Sequence, residues 1–167
     1  EVGGDLPVVT SIDAVPEANV LLIGIAPTGG SLPAPMRAHV LSAIVRGMDV
    51  ESGLHDFLND DVEFTEAAKA SGSKLHDLRR NNEREVAKRR NISNDCLRIH
   101  TVGHDCSVGK MVAAIELSRG LAKADVDAKF IATGQTGMLV EGDGCPVDAV
   151  VADFVSGAGE KQILTHQ

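Results

Sequence analysis

Cys96–Lys110, CLRIHTVGHDCSVGK, is the stretch that decides the fold. Cys96–Val102 reads as a strand, the loop Gly103–Lys110 follows, and a helical pattern runs from about Gly109 to Lys123. On that helix Ala114, Ile115, Leu117, Leu121 and Ala122 form the apolar face, and Glu116, Arg119 and Lys123 the polar stripe. Strand, glycine loop, lysine and helix in this order form a phosphate-binding plan. The glycines let backbone N–H groups turn toward phosphate oxygens, the helix N-terminus adds its positive end, and lysine supplies a point charge. Gly103, His104, Asp105, Cys106, Ser107, Val108, Gly109, Lys110 and Met111 are therefore the candidate cofactor-binding residues. The ordinary alternative is a β–α turn with an incidental lysine, and the strand and helix on either side favour phosphate.

Two details set this loop apart from the common GxxxxGK[ST] pattern. Five residues separate the glycines, and Met111 stands where a hydroxyl usually holds Mg²⁺. The longer spacing is similar to that of dethiobiotin synthetase-like P-loop enzymes. The missing hydroxyl weakens the case for Mg-dependent phosphoryl transfer and leaves a loop suited to holding phosphates without hydrolysing them. His104 and Cys106 invite a nucleophile reading, but side chains in such loops usually point away from the phosphates.

Downstream, Ala128–Thr133 reads as a second strand, ending in Gly134-Gln135-Thr136-Gly137. The carboxyl edge of an open α/β sheet is where ligands bind. Gln135, Thr136 and Gly137 are thus candidate substrate-binding residues, although a tight turn with polar side chains explains them equally well. After a Gly-rich loop, Val147, Val150, Val151, Phe154, Val155 and Ala158 recur at helical spacing and predict a helix over Val147–Ala158. Asp148 and Asp153 read as capping and surface positions on it.

Upstream lies another α/β block. Asn19–Ala26 (NVLLIGIA) predicts a strand buried on both faces, followed by the turn Pro27-Thr28-Gly29-Gly30. A helix with Pro35 in its first turn carries the stripe Met36, Val40, Leu41, Ile44, Val45 and Met48. A loop around Glu51–Asp61, a short helix near Val62–Ala70 and a strand at Lys74–Leu78 follow, and Leu6–Val9 reads as a strand entering from a preceding unit. His55 and Asp56 read as loop-capping residues with a possible view of a cleft. No GxGxxG supports dinucleotide binding here.

Bulk properties narrow the classes. A net charge of −8 argues against a nucleic-acid partner. The cluster Arg79, Arg80, Arg84, Lys88, Arg89 and Arg90 is interrupted by Glu83 and Glu85 and reads as a solvated linker. No apolar run is long enough to cross a bilayer, so no membrane partner is expected. Cys96, Cys106 and Cys145 are odd in number and lack paired metal-ligand spacing. They read as free thiols in a reducing cytoplasm, with no metal site. Aromatic content of 2% leaves an aliphatic core, as suits a parallel sheet under helices. Each block has too few strands to bury both faces of such a sheet. The sequence is therefore expected to be truncated at both ends, or completed by another chain.

Taken in order, Gly3–Val9 (GGDLPVV), Leu21–Gly30 (LLIGIAPTGG), Gly53–Leu58 (GLHDFL), Thr101–Met111 (TVGHDCSVGKM), Ala132–Gly137 (ATGQTG) and Pro146–Glu160 (PVDAVVADFVSGAGE) carry a resemblance. Together they closely resemble a bacterial and archaeal family, long labelled as of unknown function, that includes D-glutamate N-acetyltransferase. The resemblance implies the end of a Rossmann-like domain (residues 1–92 with its linker) followed by the start of a P-loop-type three-layer α/β domain (residues 93–167). It also implies acetyl transfer from acetyl-CoA to the amino group of D-glutamate or a similar acidic amino acid, with the loop holding coenzyme phosphates. Against that pattern the chain lacks the opening βαβ unit and the rest of the P-loop domain. The absent part includes a glutamate- and glycine-rich strand end, and the general base is expected there, so no catalytic residue is assigned. Two other readings stay open: an ATP-dependent ligase or kinase of the dethiobiotin synthetase type using ATP with Mg, and a non-catalytic nucleotide-binding module. The expected partner is a small-molecule substrate, and a homo-oligomer is compatible with such an enzyme.

Overall fold

The computed structural model describes residues 4–167; Gly3, in the stretch Gly3–Val9, lies outside them. The chain divides into two compact units, Glu1–Arg80 and Asn81–Gln167.

The first unit is a parallel sheet with two helices. Its strands β1 (Val20–Ile23), β2 (Asp49–Ser52) and β3 (Leu75–Asp77) lie in the order β1-β2-β3. Val20 pairs with Asp49, and Val50 with Leu75. Helix α1 (Ala34–Val45) joins the first two strands and α2 (Val62–Ser71) the last two. Both helices contribute to one core of Ile23, Val40, Ile44, Val50, Leu54, Leu58, Phe64 and Ala68. Parallel strands need such crossovers, because a tight turn cannot return the chain in the same direction.

Several sequence expectations change here. β2 occupies part of the region expected to be loop. In DVES the buried positions are Val50 and Ser52, alternating with half-buried Asp49 and Glu51. A central strand with charged alternate positions gives no apolar run to find. β1 is shorter than Asn19–Ala26 and buried on one face rather than both, since Val20 and Leu22 are exposed. On α1, Val45 is exposed, Ala43 takes its place in the core, and Met48 is buried beyond the helix end. Leu6–Val9 forms no strand; its backbone pairs with no neighbour among the described residues, and Leu6 and Val8 are exposed.

α2 lies where its signals placed it. Asp61 caps it by accepting the Phe64 N–H at 3.1 Å, and Gly72 ends it in the left-handed conformation, φ +83°. Arg37 on α1 binds both carboxylate oxygens of Asp61, at 2.6 and 2.9 Å, and stacks on the Phe64 ring. This contact ties the start of α2 to α1.

The second unit contains α3 (Lys110–Lys123), α4 (Gln135–Glu141) and α5 (Val155–Thr165). The strands expected at Cys96–Val102 and Ala128–Thr133 are not formed as paired strands among the described residues. Leu97, Ile99 and Val102 stand exposed. Carbonyls of the second segment accept scattered bonds instead of a ladder: Ala132 from the Cys145 N–H, Thr133 from the Val147 N–H and Ala128 from the Ser118 hydroxyl. A strand exists through its ladder, and the apolar pattern alone cannot supply one.

The helix expected over Val147–Ala158 is also revised. Two 3₁₀ turns, Val147–Ala149 and Ala152–Phe154, come first, with extended backbone at Val150 and Val151 between them. β-Branched valines favour that extended geometry. Helix proper begins at Val155 and continues to Thr165. The apolar spacing was real all the same, because Val147, Val150, Phe154, Val155 and Ala158 gather with Cys145 in one cluster.

The basic linker is no free strap. Residues 81–95 carry no helix or strand, yet the part from Glu83 to Asn91 docks along α5. The Glu160 carboxylate accepts the N–H groups of Lys88 at 2.6 Å and Arg89 at 2.5 Å. Lys161 pairs with Glu83 at 2.7 Å, and the Gln167 amide donates to the Asn91 carbonyl at 2.7 Å.

Candidate functional site

Residues 103–109 form an exposed loop that α3 follows directly. Gly109 is the N-cap of α3 with φ +96°, and Ser107 is also left-handed at φ +55°. Only glycine takes such angles freely, and Ser107 pays a conformational cost there. Left-handed residues alternating with right-handed ones are the backbone pattern from which anion nests are built. The first N–H groups of a 14-residue helix, without partners within the helix, open onto the same loop.

The lysine closes over the loop. A Cβ on Gly103 would lie 2.8 Å from a Val108 methyl and 3.2 Å from the Lys110 side chain. A side chain at 103 would therefore displace the Val108 methyl and crowd the lysine stem, a constraint of close approach and not of φ. The Lys110 ammonium donates to the Asp105 carbonyl, and Asp105 Oδ1 accepts the Cys106 N–H at 2.6 Å. His104 and Cys106 are exposed on the loop, and Met111 is half-buried in the first turn of α3.

Gln135, Thr136 and Gly137 form the first turn of α4, with Gly134 as its N-cap, rather than a free turn. A Cβ on Gly137 would come 2.9 Å from that of Ala132 and 3.3 Å from the Phe130 ring. Gly137 thus lets α4 pack closely on residues 130–132, while Thr136 is exposed. The 103–109 loop is folded on itself, whereas this turn is folded on the segment before it.

Of the other residues singled out, His55 and Asp56 act locally. His55 N–H donates to the Gly30 carbonyl at 2.8 Å, its ring lies over Gly30, and Asp56 accepts the Leu32 N–H at 3.2 Å. They fasten the turn after β2 to the turn after β1. Asp148 and Asp153 lie in the two 3₁₀ turns. Cys145 is buried, and burial pushes its thiol pKa up, with the nearby Glu83 carboxylate acting in the same direction. A thiol held neutral in this way is a poor nucleophile.

Sequence reasoning missed Asp77, whose side chain is 2% exposed and accepts the N–H groups of Leu58 and Asn59 at 2.8 and 3.1 Å. An acidic residue closing a short strand was its only sequence signal. Gly157 and Glu160 lay within the quoted Pro146–Glu160 stretch, but nothing local in it gave either of them a role.

Comparison with known proteins follows the same division. Residues 1–81 match the Rossmann-like domain DUF1611_N and residues 85–167 the P-loop domain DUF1611_C, both described as domains of unknown function. The chain belongs to the DUF1611 family. Its α/β fold is thus a Rossmann-like N-terminal part followed by a P-loop part. A D-glutamate N-acetyltransferase of Tritonibacter scottomollicae is 40% identical over 147 residues, and one of a Pseudoalteromonas species is 36% identical over 143. Each alignment covers 86% of this chain and 43% of the relative, so the chain spans less than half the length of these relatives. The crystal structure of a DUF1611 family protein from Anabaena variabilis superposes with a TM-score of 0.87 at 36% identity, over 96% of this chain and 47% of that one. No helix among the described residues is long and apolar enough to cross a membrane.

Proposed function

We propose that this chain carries the coenzyme-phosphate site of an N-acetyltransferase that moves an acetyl group from acetyl-CoA to the amino group of D-glutamate or a similar acidic amino acid. The observation that carries the reading is the loop 103–110, with its left-handed Ser107 and Gly109 and with Lys110 turned over Gly103. Coenzyme A is rich in phosphate, and an exposed nest with a lysine suits such groups. Met111 follows the lysine where a Mg²⁺-binding hydroxyl would stand, which favours holding phosphate over transferring it. The names of the two relatives support the acetyl-transfer half of the proposal.

Within this reading the N–H groups of the loop and the Lys110 ammonium hold the coenzyme phosphates. Acetyl-CoA, when bound, supplies the activated thioester. Gln135 and Thr136, at the start of α4, are assigned to the acceptor or the acyl oxygen, and Gly137 to the close packing that places them. The proton on the acceptor ammonium needs a base, and no residue of this chain is assigned to that step. A small-molecule acceptor is the only partner the proposal requires.

Calorimetry on the full-length protein tests it against the ligase or kinase reading. Acetyl-CoA should bind, and Lys110→Ala should weaken that binding by tenfold or more, the effect of roughly 1.5–3 kcal/mol for a charge-assisted contact. Tight binding of Mg-ATP with none of acetyl-CoA would sink the proposal, as would an unchanged affinity in the lysine variant.

A further inference from the structure

Asp105 is the one acidic residue between Gly103 and Lys110, in a loop whose other features suit anions. Its carboxylate accepts the Cys106 N–H at 2.6 Å, and its carbonyl accepts the Lys110 ammonium. The side chain of Asp105 therefore takes up one loop N–H that a bound phosphate could use, while its main chain holds the lysine. The loop is exposed from 103 to 109, so the Asp105 side chain can leave the Cys106 N–H by rotating into water.

We propose that Asp105 is a built-in competitor of the phosphate ligand, a carboxylate that holds the Cys106 N–H of the loop until a more highly charged group displaces it. The inference rests on the phosphate role proposed for the loop. A carboxylate that satisfies an exposed loop N–H is favourable when no ligand is present. Once phosphate enters, the same charge opposes it. The loop then discriminates by charge: a single carboxylate or other weak anion gains little over Asp105, whereas a diphosphate displaces it. Such a residue trades affinity for selectivity, because weaker binding of every anion raises the threshold that a ligand must pass.

The test compares wild type, Asp105→Asn, Asp105→Ala and Lys110→Ala in the full-length protein, with inorganic pyrophosphate and coenzyme A as probes. Asparagine keeps the shape and an oxygen acceptor but removes the charge. Asp105→Asn should bind both probes about fivefold more tightly at low salt, the effect of removing one like charge at close range through water. The gain should shrink toward none at 0.5–1 M salt, roughly where the screening length falls to a few ångströms, a response that a purely structural role would not give. Asp105→Ala should gain at least as much, and thermal melting would show that both variants fold. Unchanged or weaker binding in both folded variants overturns the inference. So does a loss seen only with Mg²⁺ present, which would make Asp105 a cation ligand. If Lys110→Ala abolishes binding while Asp105→Asn leaves it unaltered, only the competitor role falls. If Lys110→Ala leaves binding intact, the phosphate reading falls and the inference with it.

Discussion

Gly157 sits in the first turn of α5 with no room for a side chain. A Cβ there would lie 1.8 Å from the Glu85 carbonyl oxygen and 2.6 Å from its carbon. These are backbone atoms and cannot swing aside as a flexible side chain would. Gly157→Ala should therefore lift the 83–91 segment off α5, weakening the Glu160 and Lys161 contacts together. We expect a loss of about 1–3 kcal/mol, the usual scale of overpacking, measured as a fall in the urea midpoint. Gly159 is the internal control, because no atom outside its own helix lies within 4 Å of its Cβ position. Gly159→Ala should be neutral or stabilise by up to about 1 kcal/mol through helix propensity. Equal stability of Gly157→Ala and wild type would refute the docking. In the sequence both glycines look alike; what separates them is a partner more than sixty positions away, and local pattern carries no trace of that.

Helix α2 shows how a single element couples capping to electrostatics. The side-chain hydrogen bonds from Arg37 hold Asp61 below the usual carboxylate range, and the Phe64 N–H acts in the same direction. A carboxyl whose folded value is depressed contributes stability that is present above its unfolded value and is lost as pH falls through the folded one. Asn at 61 can still cap the helix but cannot pair with the guanidinium. Since both partners are partly exposed, Asp61→Asn should cost only about 1 kcal/mol or less at pH 7. The difference from wild type should close as the pH drops into the acid range. Urea unfolding at neutral pH and through that range reads this directly, and a gap independent of pH would show that the ion pair contributes nothing. The element was expected near Val62–Ala70 from its own residues, and the caps that the structure gives it, Asp61 and Gly72, are local too. β2 was not, since Asp49 and Glu51 hide a central strand whose burial depends on neighbours outside the segment. The 147–158 stretch lies between these cases. Its spacing identified the residues that cluster, but two short turns satisfy the same spacing as one helix.

Across the whole chain, regular pairing is concentrated in the first unit, and the candidate site lies in the second. β2 is hydrogen-bonded on both sides and carries fully buried Val50 and Ser52, whereas residues 96–102 lead into the 103–109 loop with no ladder among the described residues. Fold class and loop position were readable because strand-like apolarity, glycine and lysine lie adjacent in sequence. Whether an apolar segment becomes a strand depends on distant backbone, and this is where the sequence reading stopped. Local opening is easiest where backbone hydrogen bonds are few and exposed. Hydrogen exchange followed by mass spectrometry on the 167-residue chain should therefore show slowest exchange at residues 49–52. Residues 97–102 should exchange at close to the rate of an unstructured peptide. Protection of 97–102 matching that of β2 would mean that this segment has found a partner strand, by self-association or otherwise. Repeating the measurement at several protein concentrations would separate the cases, since pairing between copies must strengthen with concentration. Rapid exchange at every concentration would leave the 103–109 loop anchored through α3 alone.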